Sequence, residues 1–287
     1  MTVGDKAKEF EFLESLTAEL SAEELLFPTS LSITLKIRHA LNDANAPTDK
    51  VARIIGAEPV LSAQILRLAN SVAYNGGTNT HITDLRQATI RLGFEMVRNV
   101  ALAVGMKQLV QTKASSESPQ LLNGLWNRSI RVAALSFVMS KKLTRLHPDA
   151  AMIAGLLHDI GKFYILSRAH SFTDVFVNQE ALWDVIDRWH LSIGAAILES
   201  WDVAEEIRVA VLDHRDLQRE HRGPPDLTDV VLAADILDAH HHIDREPLIH
   251  WDDLPPALVL LGLDEVAGNA LMVDTKDELD LIFQALA

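Results

Sequence analysis

Apolar side chains recur every three or four residues along most of this chain, as in Leu61, Ile65, Leu68 and Ala69. That interval keeps them on one face of a helix with 3.6 residues per turn. Phe94, Val97, Val100, Ala101 and Val104 repeat the pattern, as do Leu125, Ile130, Ala133, Ala134, Phe137 and Val138. The last run continues to Leu143 and predicts one long helix. No stretch alternates apolar and polar residues long enough to argue a sheet, and the strand former Tyr occurs only twice. The pattern predicts an all-α chain whose apolar helix faces form the core.

Turn and cap residues divide the pattern into many helices. Thr48 reads as an N-cap, and Glu58-Pro59 ends one helix and starts the next. Gly76-Gly77-Thr78-Asn79 reads as a loop, with Thr83 or Asp84 capping the following helix and Gly93 ending it. Pro148 suits the first turn of a helix running toward His158, and Pro224-Pro225 and Pro255-Pro256 punctuate the C-terminal part. The segment QTKASSESPQ, Gln111 to Gln120, is the least periodic and reads as a linker between two lobes. The expected organisation is an N-terminal helical extension over 1–25, a helical lobe over 26–115, a histidine-rich lobe over 116–242, and a C-terminal helical extension over 243–287. Asp274 to Ala287 reads as a closing helix, and no repeat of 20–50 residues is evident.

Composition narrows the function classes. The 287 residues carry 26 basic and 40 acidic side chains, so the net charge is 26 − 40 = −14. Such a chain repels a phosphate backbone unless it carries a basic stripe, and its Arg and Lys are scattered, so no nucleic acid is expected. Cys is absent, which excludes disulfides, thiolate metal sites and a Cys nucleophile. No uncharged apolar run approaches the ~20 residues that span a bilayer. The first residues mix acids and bases, unlike a signal peptide. A soluble, cytoplasmic protein is the expectation.

Candidate chemistry concentrates in the second lobe. In Gly155-Leu-Leu-His158-Asp159-Ile-Gly161-Lys162 a His and an Asp end an apolar helix just before a Gly stop. Neighbours on a helix point about 100° apart, so both can reach one cation. Imidazole with carboxylate suits iron, manganese, zinc or nickel. The competing reading is a His capping helix carbonyls beside a locally bonded Asp. GLLHDIGK is not a phosphate loop, because Phe163 stands where Ser or Thr must bind magnesium. His190, His214 and Asp235 lie in three further helical runs that could aim at the pair. Asp235 sits inside VVLAADIL, where a charge is costly unless paired or bound to a cation. Lys162 reads as a solvated Lys near a helix C-terminus, or as a phosphate contact. The tract His240-His241-His242 reads as a solvated polar face rather than a metal site. Asn70 and Ser71 read as capping residues near a helix end.

Several segments in order resemble the HDOD family, a branch of the HD metal-dependent phosphohydrolases. They are Leu66-Arg-Leu-Ala-Asn70-Ser71-Val-Ala-Tyr74, Ile82 through Leu92-Gly93, Val97-Arg98-Asn99-Val100-Ala101, GLLHDIGK, His190-Leu-Ser-Ile-Gly194-Ala195 and Trp201. The resemblance covers roughly Phe27 to Leu237 and implies a two-lobed helical fold. It carries metal positions onto His158, Asp159, His190, His214 and Asp235. Where the superfamily has its first ligand, in a Trp-x-His-Ser context, this chain reads Trp126-Asn127-Arg128-Ser129. Arg128 cannot donate a lone pair to a metal. It is expected to ion-pair with Asp159 or Asp235 and to fill or close part of the site. Asp213 stands where relatives often carry a further His, and no Gly-Tyr-Pro element follows His214.

Two functions remain open at this point. The resemblance implies a bacterial signal-transduction output module with a degenerate centre, acting through a signalling protein partner or a small phosphorylated ligand. The alternative is a metal-dependent phosphohydrolase with an incomplete, mononuclear site. In that case His158, Asp159, His190, His214 and Asp235 would be ligands, and Asp159 and Lys162 would serve catalysis.

Overall fold

The computed structural model describes residues 47–57, 59–71, 74, 81–113, 119–169, 179–201, 203–242 and 248–286, with a few positions between 11 and 18. The described residues form helices and connecting turns, with no strand among them. In chain order the helices are α1 (Thr48–Gly56), α2 (Pro59–Ala69), α3 (Leu85–Lys113), α4 (Pro119–Leu143), α5 (Pro148–Leu157), α6 (Ile160–Ala169), α7 (Gln179–Ser200), α8 (Glu205–Asp213), α9 (Leu227–His241), α10 (Pro256–Leu261), α11 (Glu265–Asp274) and α12 (Lys276–Leu286). The all-α expectation is correct. The loop at 76–79, the middle of the polar linker, and nearly all of the outer helix over 1–25 lie outside the described residues.

Local chemistry sets the boundaries. Pro59 and Pro148 open α2 and α5, where a missing N–H costs nothing. Asp84 caps α3 by accepting from Gln87 N at 2.9 Å. Gly93 adopts φ 78°, ψ 160°, which breaks the helical course of α3 where a side chain would be strained. Thr48 is not the cap: Pro47 holds that place, and Thr48 is already helical. A Pro there supplies the extended backbone but no side-chain acceptor. Gly161 does not stop a helix either. It lies in the first turn of α6, where an added Cβ would collide with the carbonyl of His190 and sit 2.9 Å from Gly194 N. The absent side chain lets α6 approach α7 closely.

The buried apolar side chains join into one cluster that runs from Val51 and Ile65 through Ile130 and Val138 to Val231 and Ile282. At its middle, α4 packs on α5 and α9. Helix α9 is buried along almost its whole length, so VVLAADIL lies in the interior as its composition requires. Helix α12 packs on both α2 and α4, closing the C-terminal part over the N-terminal one. Asn70 ties the end of α2 to the next segment, donating to Leu66 O (2.9 Å) and Ile82 O (2.7 Å) and accepting from Ile82 N (2.8 Å). That is the capping role read for it.

Candidate metal centre

Six segments converge on one buried centre. The turn between α5 and α6 brings His158 and Asp159, the first turn of α6 brings Lys162, and α7 brings His190. His214 and Arg215 follow α8, Asp235 lies on α9 and Arg128 on α4. Arg128, His158, Asp159, Lys162, His190, His214 and Asp235 are all 95 % or more buried. His190 lies in the middle of α7. Lys162 is buried and 3.0 Å from Asp159 Oδ1, not solvated as its sequence context suggested. Helix α6 is buried along nearly its whole length, which keeps Lys162 from solvent.

The three imidazoles are oriented alike. His158 Nδ1 donates to Gly155 O at 2.6 Å, His190 Nδ1 to Ile186 O at 2.6 Å, and His214 Nδ1 to Val211 O at 2.9 Å. A carbonyl oxygen only accepts, so Nδ1 carries the proton in each. Each Nε2 is thereby turned inward, and none has a hydrogen-bond partner among the described residues. His158 and His214 meet edge to face with centroids 5.1 Å apart, and His190 and His214 lie 6.2 Å apart. Burial, reinforced by Lys162, pushes His190 down to about 4. Burial and the neighbouring His158 hold His214 well below the usual imidazole range. Both are neutral near pH 7, with a lone pair on Nε2. Backbone carbonyls that fix ring tautomers in this way are the usual support of metal-binding histidines. Donor atoms of His158, Asp159 and His214 fall within 4.8 Å of one another, a group with metal-ligating chemistry.

The carboxylates, however, are already paired. The guanidinium of Arg128 reaches both: Nη1 donates to Asp159 Oδ2 and Nη2 to Asp235 Oδ1. The other oxygen of Asp159 faces Lys162, and Arg215 Nε lies 3.6 Å from Asp235 Oδ2. Burial alone would raise the Asp159 carboxyl, but Arg128, Lys162 and His158 hold it well below the usual carboxylate range. Burial would likewise lower Arg128, yet Asp159 and Asp235 raise it further above its ordinary value. Burial lowers Lys162, with Asp159 opposing and Arg128 and Arg215 adding to the fall. In formal charge, three cations face two carboxylates before any ligand is added.

One turn along the same helices a second pair repeats the first. Arg131 Nε donates to Asp238 Oδ1 at 2.6 Å and Nη2 to Asp238 Oδ2 at 3.2 Å. Sequence reasoning did not single out Arg131, Arg215 or this role of Asp238. The available signal was the shared spacing of three, Arg128 to Arg131 on α4 and Asp235 to Asp238 on α9. The histidine tract is not a solvated face. His240 to His242 are half-buried, His240 Nδ1 lies 3.3 Å from Trp251 Nε1, and His242 Nε2 lies 3.2 Å from Asp238 Oδ1. A second acidic group, His221, Asp226 and Asp229, is occupied by its own partners. Arg219 pairs with both carboxylates, and Asp226 and Asp229 form the capping box of α9.

A family model described as HDOD domain matches residues 27–217. A crystal structure from Shewanella amazonensis SB2B, provisionally named a metal-dependent phosphohydrolase, superposes with a TM-score of 0.75 at 23% identity. It covers 98% of this chain and 100% of that one. Another from Marinobacter aquaeolei VT8, provisionally named a signal transduction protein, gives 0.62 at 19% identity over 98% of this chain and 66% of that one. A curated protein of Treponema pallidum (strain Nichols), described as uncharacterized, is 24% identical over 204 residues. The match takes in 66% of this chain but only 38% of the relative's length.

Proposed function

The chain belongs to the HDOD domain family, and we propose that it is a signal-transduction output or regulatory module that binds its target without hydrolysing it. The observation that carries this reading is the Arg128 guanidinium lodged between Asp159 and Asp235. A hydrolytic HD centre needs those carboxylates for a divalent ion, which would lower the pKa of a bound water and polarise a phosphoryl oxygen. The imidazoles fit such an ion in donor chemistry; the carboxylates do not. A unit charge 4 Å from another costs about 4 kcal/mol at an effective dielectric of ~20, so a dication beside Arg128 faces roughly twice that. A complete structural zinc site gains only about 10–16 kcal/mol, and here the first ligand is missing. The residues therefore do not fit a resident divalent ion. No helix among the described residues is long and apolar enough to cross a membrane. We place the protein in the bacterial cytoplasm, with a signalling protein or a small phosphorylated ligand as its target. The provisional name of the Marinobacter relative supports the first of these.

The second reading, a metal-dependent phosphohydrolase with a mononuclear site, is favoured by the three inward Nε2 atoms and by the provisional name of the Shewanella relative. A turnover screen separates the two. Chelator-free, untagged protein is supplied with manganese, iron, zinc or nickel and offered phosphomonoesters, phosphodiesters and nucleotides. The expected result is turnover no higher than that of His158→Ala. Metal-dependent turnover that His158→Ala abolishes would establish the hydrolase instead.

A further inference from the structure

The Arg128 side chain sits where two buried carboxylates and an imidazole would otherwise converge. Its fork spans Asp159 Oδ2 and Asp235 Oδ1, so both oxygens face one small volume. His158 Nε2 lies 3.3 Å from that same Asp159 oxygen. All four residues are at least 95 % buried. We infer that Arg128 is a built-in replacement for a metal ion. One guanidinium performs the joining of α4, the α5–α6 turn and α9, and that single side chain excludes a divalent cation from an otherwise competent ligand set. This rests on the non-hydrolytic reading of the centre and adds its cause.

Two independent features support the exchange. The Arg131–Asp238 pair, three residues further on both helices, shows that the α4–α9 seam is built to hold a guanidinium against a carboxylate. The imidazoles keep the carbonyl-fixed orientation of metal ligands although Arg128 needs nothing from them. A guanidinium donates along fixed directions and cannot be deprotonated, so it forms a permanent bridge. A His at the same position would add an imidazole from α4 and remove the repelling charge.

The test compares wild type with Arg128→His and Arg128→Lys, using manganese and zinc chlorides as probes. Bound metal is read by elemental mass spectrometry and by metal-dependent thermal melting. Arg128→His is expected to take up about one ion per chain, to melt higher with metal, and to bind at least roughly tenfold tighter than wild type. Adding Asp159→Asn to it should abolish the gain. Arg128→Lys keeps the charge without the fork, and should stay metal-free while melting lower than wild type. If Arg128→His folds only with metal, the inference stands. A folded Arg128→His that gains no metal overturns it, and so does an Arg128→Lys that binds metal. Failure of either kind leaves the non-hydrolytic reading intact, because only turnover by the metal-loaded wild type contradicts that reading.

Discussion

Arg128 and its two carboxylates meet where water does not reach, and that sets how much each partner matters. Breaking a buried pair from one side strands a charge and costs about 3–5 kcal/mol. An exposed pair such as Lys141–Glu278, 2.7 Å apart but half-exposed at the Lys, contributes about 0–1 kcal/mol. Arg128→Ala should therefore destabilise the fold by about 3–5 kcal/mol in urea unfolding, and Lys141→Ala by less than ~1 kcal/mol. Equal effects would mean that the Arg128 bridge carries no special weight. Much of this was legible in the sequence. Asp235 is a charge in an apolar run, and Arg128 is an Arg in a Trp-x-x-Ser setting where the HD superfamily resemblance places a His. Arg215 was not legible, because in RDLQREHRG nothing separates the Arg that faces Asp235 from Arg219, which pairs with Asp226 and Asp229.

The elements were legible where apolar period and proline agreed, as for α2, α4 and α5. They were misread where a residue's local preference competed with a packing role. Gly161 carries the local signal of a helix stop, yet it stands in α6 because the carbonyl of His190 leaves no room for a Cβ. That contact also fixes how far α7 carries His190 toward the centre. Gly161→Ala should cost about 3 kcal/mol or more, since the obstacle is backbone and cannot rotate away. Gly124, exposed on α4 with nothing within 4 Å of an added Cβ, provides the control. Gly124→Ala should stabilise by about 0.5–1 kcal/mol through helix propensity. Thermal melting of both variants checks the pair. A tolerated Gly161→Ala would show that α6 and α7 are not in this close contact.

At the scale of the molecule, one hydrogen bond links the parts that the sequence keeps 75 residues apart. Tyr74 OH donates to Asp149 Oδ1 in the first turn of α5, the helix that leads to His158 and Asp159. No local pattern announces such a contact, whereas the family resemblance over most of the chain made the fold legible. Burial and the Asp149 carboxylate raise the Tyr74 pKa well above its ordinary 10.0. A tyrosine raised on folding stabilises while it stays protonated in both states. Its contribution is complete below about pH 10 and is lost as pH rises above that, where the unfolded chain releases the proton. Wild type should thus lose more stability than Tyr74→Phe between about pH 9 and about pH 11; parallel losses would remove the link.

The central claim is that a guanidinium occupies the place of a metal ion, and metal content of the wild-type protein tests it most directly. Chelator-free protein without a polyhistidine tag, equilibrated with iron, manganese, zinc and nickel salts and then desalted, is measured by elemental mass spectrometry beside His158→Ala. The account predicts well below about one ion per chain in both proteins. About one or two ions per chain in the wild type, lost in His158→Ala, would contradict it and return the centre to metal chemistry.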